Sequence, residues 1–251
     1  MKIHGRVRSF GVVCCALLAS ASTATAQNQR TESPWVVDLG IGIAPSIKGN
    51  INSGAIGTLN GQATAILPNS YGNVYGTGLD FRFGGGYQLD KDSELRGTFI
   101  YQKASANLVR LGDIGPSSLY GQFSDYKSFG LDFGYRRYLT IAPHGVRVFG
   151  EAGIGVGFIS RINVLLAAPQ SNIIFNSTDF YDRTAAFTWN LSIGAAMPVS
   201  DQIDLTAQVG FRHVSGLAQV DQLVGTGLET INNDSARLTF PIVVGARFRF
   251  K

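Results

Sequence analysis

Cysteine is nearly absent, and its placement excludes most of what it could do. The chain has 251 residues and two cysteines, Cys14 and Cys15, both within the first 26 positions. Those positions read as an export leader. Lys2, Arg6 and Arg8 make a basic start, residues 10–19 form a short apolar run, and Ala24-Thr25-Ala26 supplies the small-x-small pattern cut by signal peptidase. The run is too short to cross a bilayer as a helix. Val13 before Cys14, and Cys14 before Cys15, lack the small residue that a lipoprotein anchor needs. Cleavage after Ala26 leaves residues 27–251 with no disulfide and no thiol chemistry.

Excess charge is also missing. Three of the 21 Lys and Arg lie in the leader and none of the 17 Asp and Glu, which leaves 18 basic against 17 acidic residues, a net +1. No basic patch asks for nucleic acid. No later segment is long and apolar enough for a membrane helix, and no Gly-Lys-Ser/Thr or following helical pattern turns residues 84–86 or 150–157 into a phosphate loop. His144, in a turn, and His213, on a strand, have no Cys or second His beside them, so neither a metal nor a cofactor is expected.

What remains is period-two alternation, the signature of amphipathic strands. It predicts eight, over 35–44, 78–89, 94–102, 127–139, 146–159, 186–199, 203–215 and 237–250. In the last, Leu238, Phe240, Ile242, Val244, Ala246, Phe248 and Phe250 share one face. Arg237, Thr239, Pro241, Val243, Gly245, Arg247 and Arg249 share the other. Alternation alone does not say which face meets solvent. A soluble barrel buries its apolar face, whereas a membrane barrel turns it to lipid.

Three patterns select lipid. Connections alternate short (90–93, 140–145, 200–202) and long (45–77, 103–126, 160–185, 216–236), as when short turns face the periplasm and long loops the cell surface. Aromatics on the apolar face sort into two girdles. Trp35, Tyr87, Tyr135, Phe248 and Phe250 lie toward the short-turn end, and Tyr101, Phe129, Phe158, Phe187, Phe211 and Phe240 toward the other. The polar face carries Asp38, Asp80, Arg82, Glu94, Arg96, Asp132, Arg136, Arg147, Glu151, Asp204, Arg212, Arg247 and Arg249, both signs interleaved and able to pair across a lumen. Most of the glycines at 84, 86, 130, 134, 153, 155 and 157 share that parity, where a narrow barrel lacks room for side chains. A sheet in lipid must close to pair every backbone amide. The expectation is an all-β, eight-stranded antiparallel up-and-down transmembrane barrel.

The C-terminal Val244-Gly245-Ala246-Arg247-Phe248-Arg249-Phe250 resembles the aromatic-ended last strand of outer-membrane barrels, here followed by Lys251. The glycine-rich 150–157 and Val209-Gly210-Phe211-Arg212-His213 are similar to strands of the OmpA-like, "porin family" surface barrels. The resemblance covers essentially the whole chain after the leader. It implies a cell outer membrane address, contact with outer-membrane lipid and lipopolysaccharide, and recognition of the last strand by the assembly machinery. It implies no activity.

One pattern points to chemistry. On a strand, His213 and Ser215 share a face, turned outward near the extracellular rim, and Glu229 follows in the next loop. A Ser-His-acid set there looks like the outer-membrane lipid A deacylases, whose His-x-Ser-Asn motif has Asn where this chain has Gly216. Against it stands the plainer reading of His213 as an interfacial residue and Ser215 as the start of a loop. The lumen charges likewise allow a narrow route for small or hydrophobic solutes, although eight strands leave an interior filled by side chains. The expected role is non-enzymatic, with binding carried by surface loops whose ligand is unknown. The first loop, rich in Gly, Asn, Ser and Ala, reads as mobile. In the third, 162–168 and 173–175 read as extensions of strands five and six ahead of the other reading, a contact surface for a partner.

Overall fold

A computed structural model describes residues 33–139, 145–220, 225–233 and 235–250. The leader and His144 lie outside them. Eight wall strands form, close to where alternation places them: β1 Trp35–Lys48, β2 Thr77–Gln88, β3 Ser93–Ala104, β4 Tyr126–Leu139, β5 Arg147–Ile159, β6 Thr184–Pro198, β7 Ile203–Val214, and β8 in two pieces, Arg237–Thr239 and Ile242–Arg249. Each pairs antiparallel with its neighbour in sequence, and β8 returns to β1 through Val37↔Phe248 and Ile41↔Val244, closing the ring. Closure removes both sheet edges, which is what lets strands cross a bilayer.

The break in β8 is a local correction to the continuous strand expected over 237–250. Pro241 has no N–H to donate to the ladder. Pairing survives around it, because the Phe240 amide donates to Pro45 O at 2.9 Å and the Gly210 amide to Pro241 O at 3.2 Å.

The wall presents its apolar residues outward. Leu39, Ile41, Phe83, Leu131, Phe133, Ile154, Leu191, Ile193 and Val244 are all exposed. Such a belt would be untenable in water and is the expected surface in lipid. The seven unbroken wall strands, of 12 to 15 residues, exceed the nine to eleven that cross a bilayer, so they continue past its surface.

Above the wall the four long connections fold together, which alternation did not anticipate. The first loop is ordered: Ala55–Leu59 and Gln62–Ile66 form a hairpin, and the short helix α1, Tyr71–Tyr75, is capped by Ser70 Oγ accepting from the Asn73 amide. Gln62–Ile66 pairs with Leu108–Ile114 of the second loop. The other arm of that loop's hairpin, Ser117–Phe123, pairs with Ile162–Ala168 of the third. The third loop does continue β5 and β6, through Ile162–Ala168 pairing with Thr178–Tyr181, but its strand also joins this second sheet. Under the sheet is an apolar core that includes Ile51, Tyr71, Leu119, Ile162, Tyr181, Leu228 and Ile231, drawn from all four loops. The mobile first loop expected from composition is therefore corrected. Its few apolar residues reach their partners only across loops.

Candidate functional site: a charge-filled lumen beneath an apolar cap

Because side chains alternate along a strand, one parity of every wall strand must enter the lumen. The register then decides which charges meet. At the short-turn end, Arg247 Nη2 lies 2.6 Å from Glu94 Oε2. Asp204 is approached by Arg249 at 2.8 Å, Arg147 at 3.5 Å and Arg247 at 3.9 Å. One layer further, Arg96 sits within 3.3 Å of Asp38, Glu94 and Glu151 together. Arg136 reaches Glu151 at 2.7 Å and Asp38 at 3.7 Å. Arg82 contacts Asp80 at 2.7 Å, and Gln102 donates to the same carboxylate at 2.8 Å. On β4, nearer the long-loop end than Arg136, Asp132 accepts from Arg212 at 3.1 Å, Thr188 Oγ1 at 2.9 Å and Asn190 Nδ2 at 2.9 Å. Each of the thirteen charged residues singled out from alternation thus lies within 4 Å of an opposite charge. Arg147 and Arg249, at the end, keep the most contact with solvent.

Removing an ion from water costs several kcal/mol, recovered only by close opposite charge and additional hydrogen bonds. The interleaving makes that geometry available. Glycine makes room for it: Gly155 stands opposite Asp132 in the β4–β5 register, and a methyl group there would approach Leu131 O to 2.2 Å.

Two lumen residues escaped the sequence reading, and Arg237, set on the polar face by alternation, was missing from its charge set. Tyr138 and Phe149 point inward and are buried, with the Arg147 guanidinium 4.2 Å from the Tyr138 ring centre and Arg136 3.9 Å from that of Phe149. Arg247 also hydrogen-bonds the Tyr138 hydroxyl. The available signal was parity, since Tyr138 is two residues from Arg136 and Phe149 lies between Arg147 and Glu151. At the cap end, Arg237 is buried over the Tyr126 ring at 4.1 Å, beside Tyr71 and Tyr75. Burial pushes the Tyr71 and Tyr75 phenols far above their ordinary value, so both stay neutral.

On the outside, Trp35 packs edge-on to Tyr87 at 5.0 Å near the short-turn end. Phe129 stacks on Phe158 at 4.9 Å and Phe211 meets Phe240 at 5.3 Å near the other. Tyr101, Phe187 and Phe250 are exposed, while Tyr135, Phe240 and Phe248 are half-buried. The Tyr135 hydroxyl bonds Ser93 Oγ at 2.9 Å.

His213, Ser215 and Glu229 are not assembled into a relay. The His213 ring stacks on Trp189 at 5.5 Å, and its buried Nδ1 has no hydrogen-bond partner among the described residues, where a triad would place the acid. Glu229 Oε1 instead accepts from the Gly225 and Gly227 amides at 2.7 and 3.2 Å. The Ser215 amide donates to Phe187 O at 2.9 Å.

A closed eight-stranded antiparallel wall, apolar outside and ion-paired within, defines an outer-membrane β-barrel. The chain matches the outer membrane protein beta-barrel domain family over residues 13–248 and belongs to it. The outer membrane is where it resides. No curated protein matches it in sequence. Among solved structures it is similar to Neisserial surface protein A, with 13% identity, a TM-score of 0.45 and coverage of 88% of this chain and 100% of that one. OprG from Pseudomonas aeruginosa has 10% identity and a TM-score of 0.44, over 87% and 97% of the two chains. The N-terminal barrel domain of Pseudomonas aeruginosa OprF has 13% identity and a TM-score of 0.39, over 87% and 99%.

Proposed function

We propose that this is a non-enzymatic surface protein. Its barrel is a sealed anchor in the outer membrane, and its cap is the part that meets other molecules. The carrying observation is how little space the lumen holds. A cavity among Asp38, Arg82, Arg96, Arg136 and Glu151 measures about 30 Å³, room for about two or three waters. A packed charge lattice of this kind supports no stable water column. Purified barrel in a planar bilayer is expected to leave the conductance at the lipid baseline, and reproducible large openings would contradict the reading.

Export would proceed by removal of residues 1–26, which N-terminal sequencing of outer-membrane material tests. The last strand would engage the assembly machinery. Lipopolysaccharide would pack on the outward aromatics near the long-loop end. For catalysis, the unpaired His213 Nδ1 and the diverted Glu229 argue against acyl hydrolysis. Mass spectrometry of lipid A should be unchanged by expression of the chain, and loss of an acyl chain that Ser215→Ala abolishes would establish the enzyme instead.

A further inference from the structure

The cap encloses a cavity of about 200 Å³, separate from the lumen and unlike it in chemistry. Its wall is chiefly apolar, with Leu59, Ile66, Leu111, Leu166 and Leu228 among the lining residues. Phe123 and Phe180, edge to face at 5.4 Å, add aromatic surface. An apolar protein cavity of about 150 Å³ takes up benzene, so this one has room for a fused pair of rings.

Polar groups on the wall narrow the choice. Asn232 uses Nδ2 on Phe180 O and Val220 O, and the Asp179 carboxylate is held by Arg161 at 2.9 Å. Asn52 differs. Its Nδ2 donates to Leu67 O at 2.7 Å and Ser53 O at 3.1 Å, which fixes the amide orientation. Its Oδ1 is then buried, on a residue 1% exposed, and has no hydrogen-bond partner among the described residues. A buried acceptor without a donor is costly, and on the wall of a cavity the donor can come from an occupant.

We propose that the cap is a binding site for one small neutral aromatic molecule bearing a hydroxyl, held by Phe123 and Phe180 and donating to Asn52 Oδ1. A charged aromatic is disfavoured because the lining offers no free counter-charge among the described residues: the Asp179 carboxylate is already paired with Arg161. The inference deepens the reading of the cap as the interacting part and is independent of whether the lumen conducts.

The test uses the full barrel in lipid nanodiscs, with 2-naphthol as probe and 2-methoxynaphthalene as its donor-less counterpart. Empty discs measure partition into lipid. Saturable binding of one 2-naphthol per chain is expected above that baseline, five- to tenfold tighter than the methyl ether, the worth of about one hydrogen bond. Leu59→Trp and Leu166→Trp, each filling the cavity from a half-buried position, should weaken 2-naphthol at least tenfold while the unboiled protein keeps its compact gel mobility. Two are used so that misfolding of one leaves the other to read. Binding no greater than to empty discs overturns the proposal, as does full binding to a folded filled variant. Equal affinity for naphthol and its ether overturns the role of Asn52. A conducting barrel that still binds 2-naphthol would remove the sealed-anchor reading and leave this one standing.

Discussion

The Arg247 guanidinium and the Glu94 carboxylate meet at 2.6 Å across the lumen, and solvent reaches neither side chain. Neither of the two atoms in contact, Nη2 and Oε2, has a hydrogen bond of good alignment, so the attraction there is mainly Coulombic. Arg96 on the same carboxylate and Asp204 beside the same guanidinium extend the pair into a lattice.

Breaking that pair from one side should cost more than deleting it. Glu94→Gln leaves Arg247 enclosed beside the Tyr138 hydroxyl, with Asp204 at 3.9 Å as its remaining carboxylate, and losses for such orphaned charges run to about 3–5 kcal/mol. The double variant Glu94→Gln/Arg247→Gln should recover at least ~1 kcal/mol of the summed single losses. Urea unfolding in lipid vesicles, followed by tryptophan emission, measures both. Additive losses would show that the two groups do not interact.

Depth in the membrane should grade the cost of charge on the outer face. Phe133, mid-strand in β4, is 70% exposed, and Leu139 at the end of the same strand is 58% exposed. Phe133→Arg is expected to cost about 2–4 kcal/mol and Leu139→Arg about 0–1 kcal/mol, because arginine at the bilayer midplane is unfavourable and near the interface is not. Equal costs would mean that the belt does not face lipid.

Two glycines of β5 should respond unequally to one added methyl. At Gly155 the new carbon meets Leu131 O at 2.2 Å and the Asp132 carboxylate at 2.4 Å, whereas at Gly150 nothing lies within 4 Å. Gly155→Ala should lose about 1–3 kcal/mol through overpacking, and Gly150→Ala should stay within about 0.5 kcal/mol of the parent. The comparison is the urea midpoint.

Acid should loosen one turn of the fourth loop. Backbone amides at Glu229 itself, Gly227 and Gly225 hold the Glu229 carboxyl below its ordinary value. A depressed folded pKa means the contribution is complete above the unfolded value, ordinarily 4.5, and is lost as pH falls through the folded one. The protection of the Gly225 and Gly227 amides against hydrogen exchange, measured relative to their intrinsic rates, should therefore fall below roughly pH 4, and Glu229→Gln should remove that change in protection. Protection that does not change with pH would show that the carboxylate does not hold the turn.

A cap tie is testable in the same way. The buried Tyr181 hydroxyl donates to Ile51 O at 2.6 Å, joining the third loop to the first. Tyr181→Phe leaves that carbonyl without its donor, at about 1–3 kcal/mol. The loss should appear as faster proteolysis of the loops with the wall's gel mobility unchanged.

The wall was legible in sequence because its signal is local. The pleat sends successive side chains to opposite faces, so Asp132, Gly134 and Arg136 declare one face and Phe133 and Tyr135 the other without reference to any distant residue. Tyr138 and Phe149 were missed for the same reason the girdles were found. An aromatic in an alternating strand belongs by default on the lipid face, and no local signal shows that a guanidinium lies over its ring inside the lumen. Pro241 marked a break that alternation ran across.

The cap was not legible. The first loop has the composition of a solvated segment, and its order comes from contacts such as Tyr71 to Ser235 and Tyr181 to Ile51, 164 and 130 residues apart. No periodicity reports such pairs.

From sequence alone came the number of strands, their faces, the end at which the loops gather and the outer-membrane address, since each follows from neighbours along the chain and from the demand that lipid leaves no backbone group unpaired. Which arginine meets which carboxylate, how four loops share one core and where that core leaves room depend on ring closure and register. Those bring together groups far apart in the chain, and only the tertiary structure decided them.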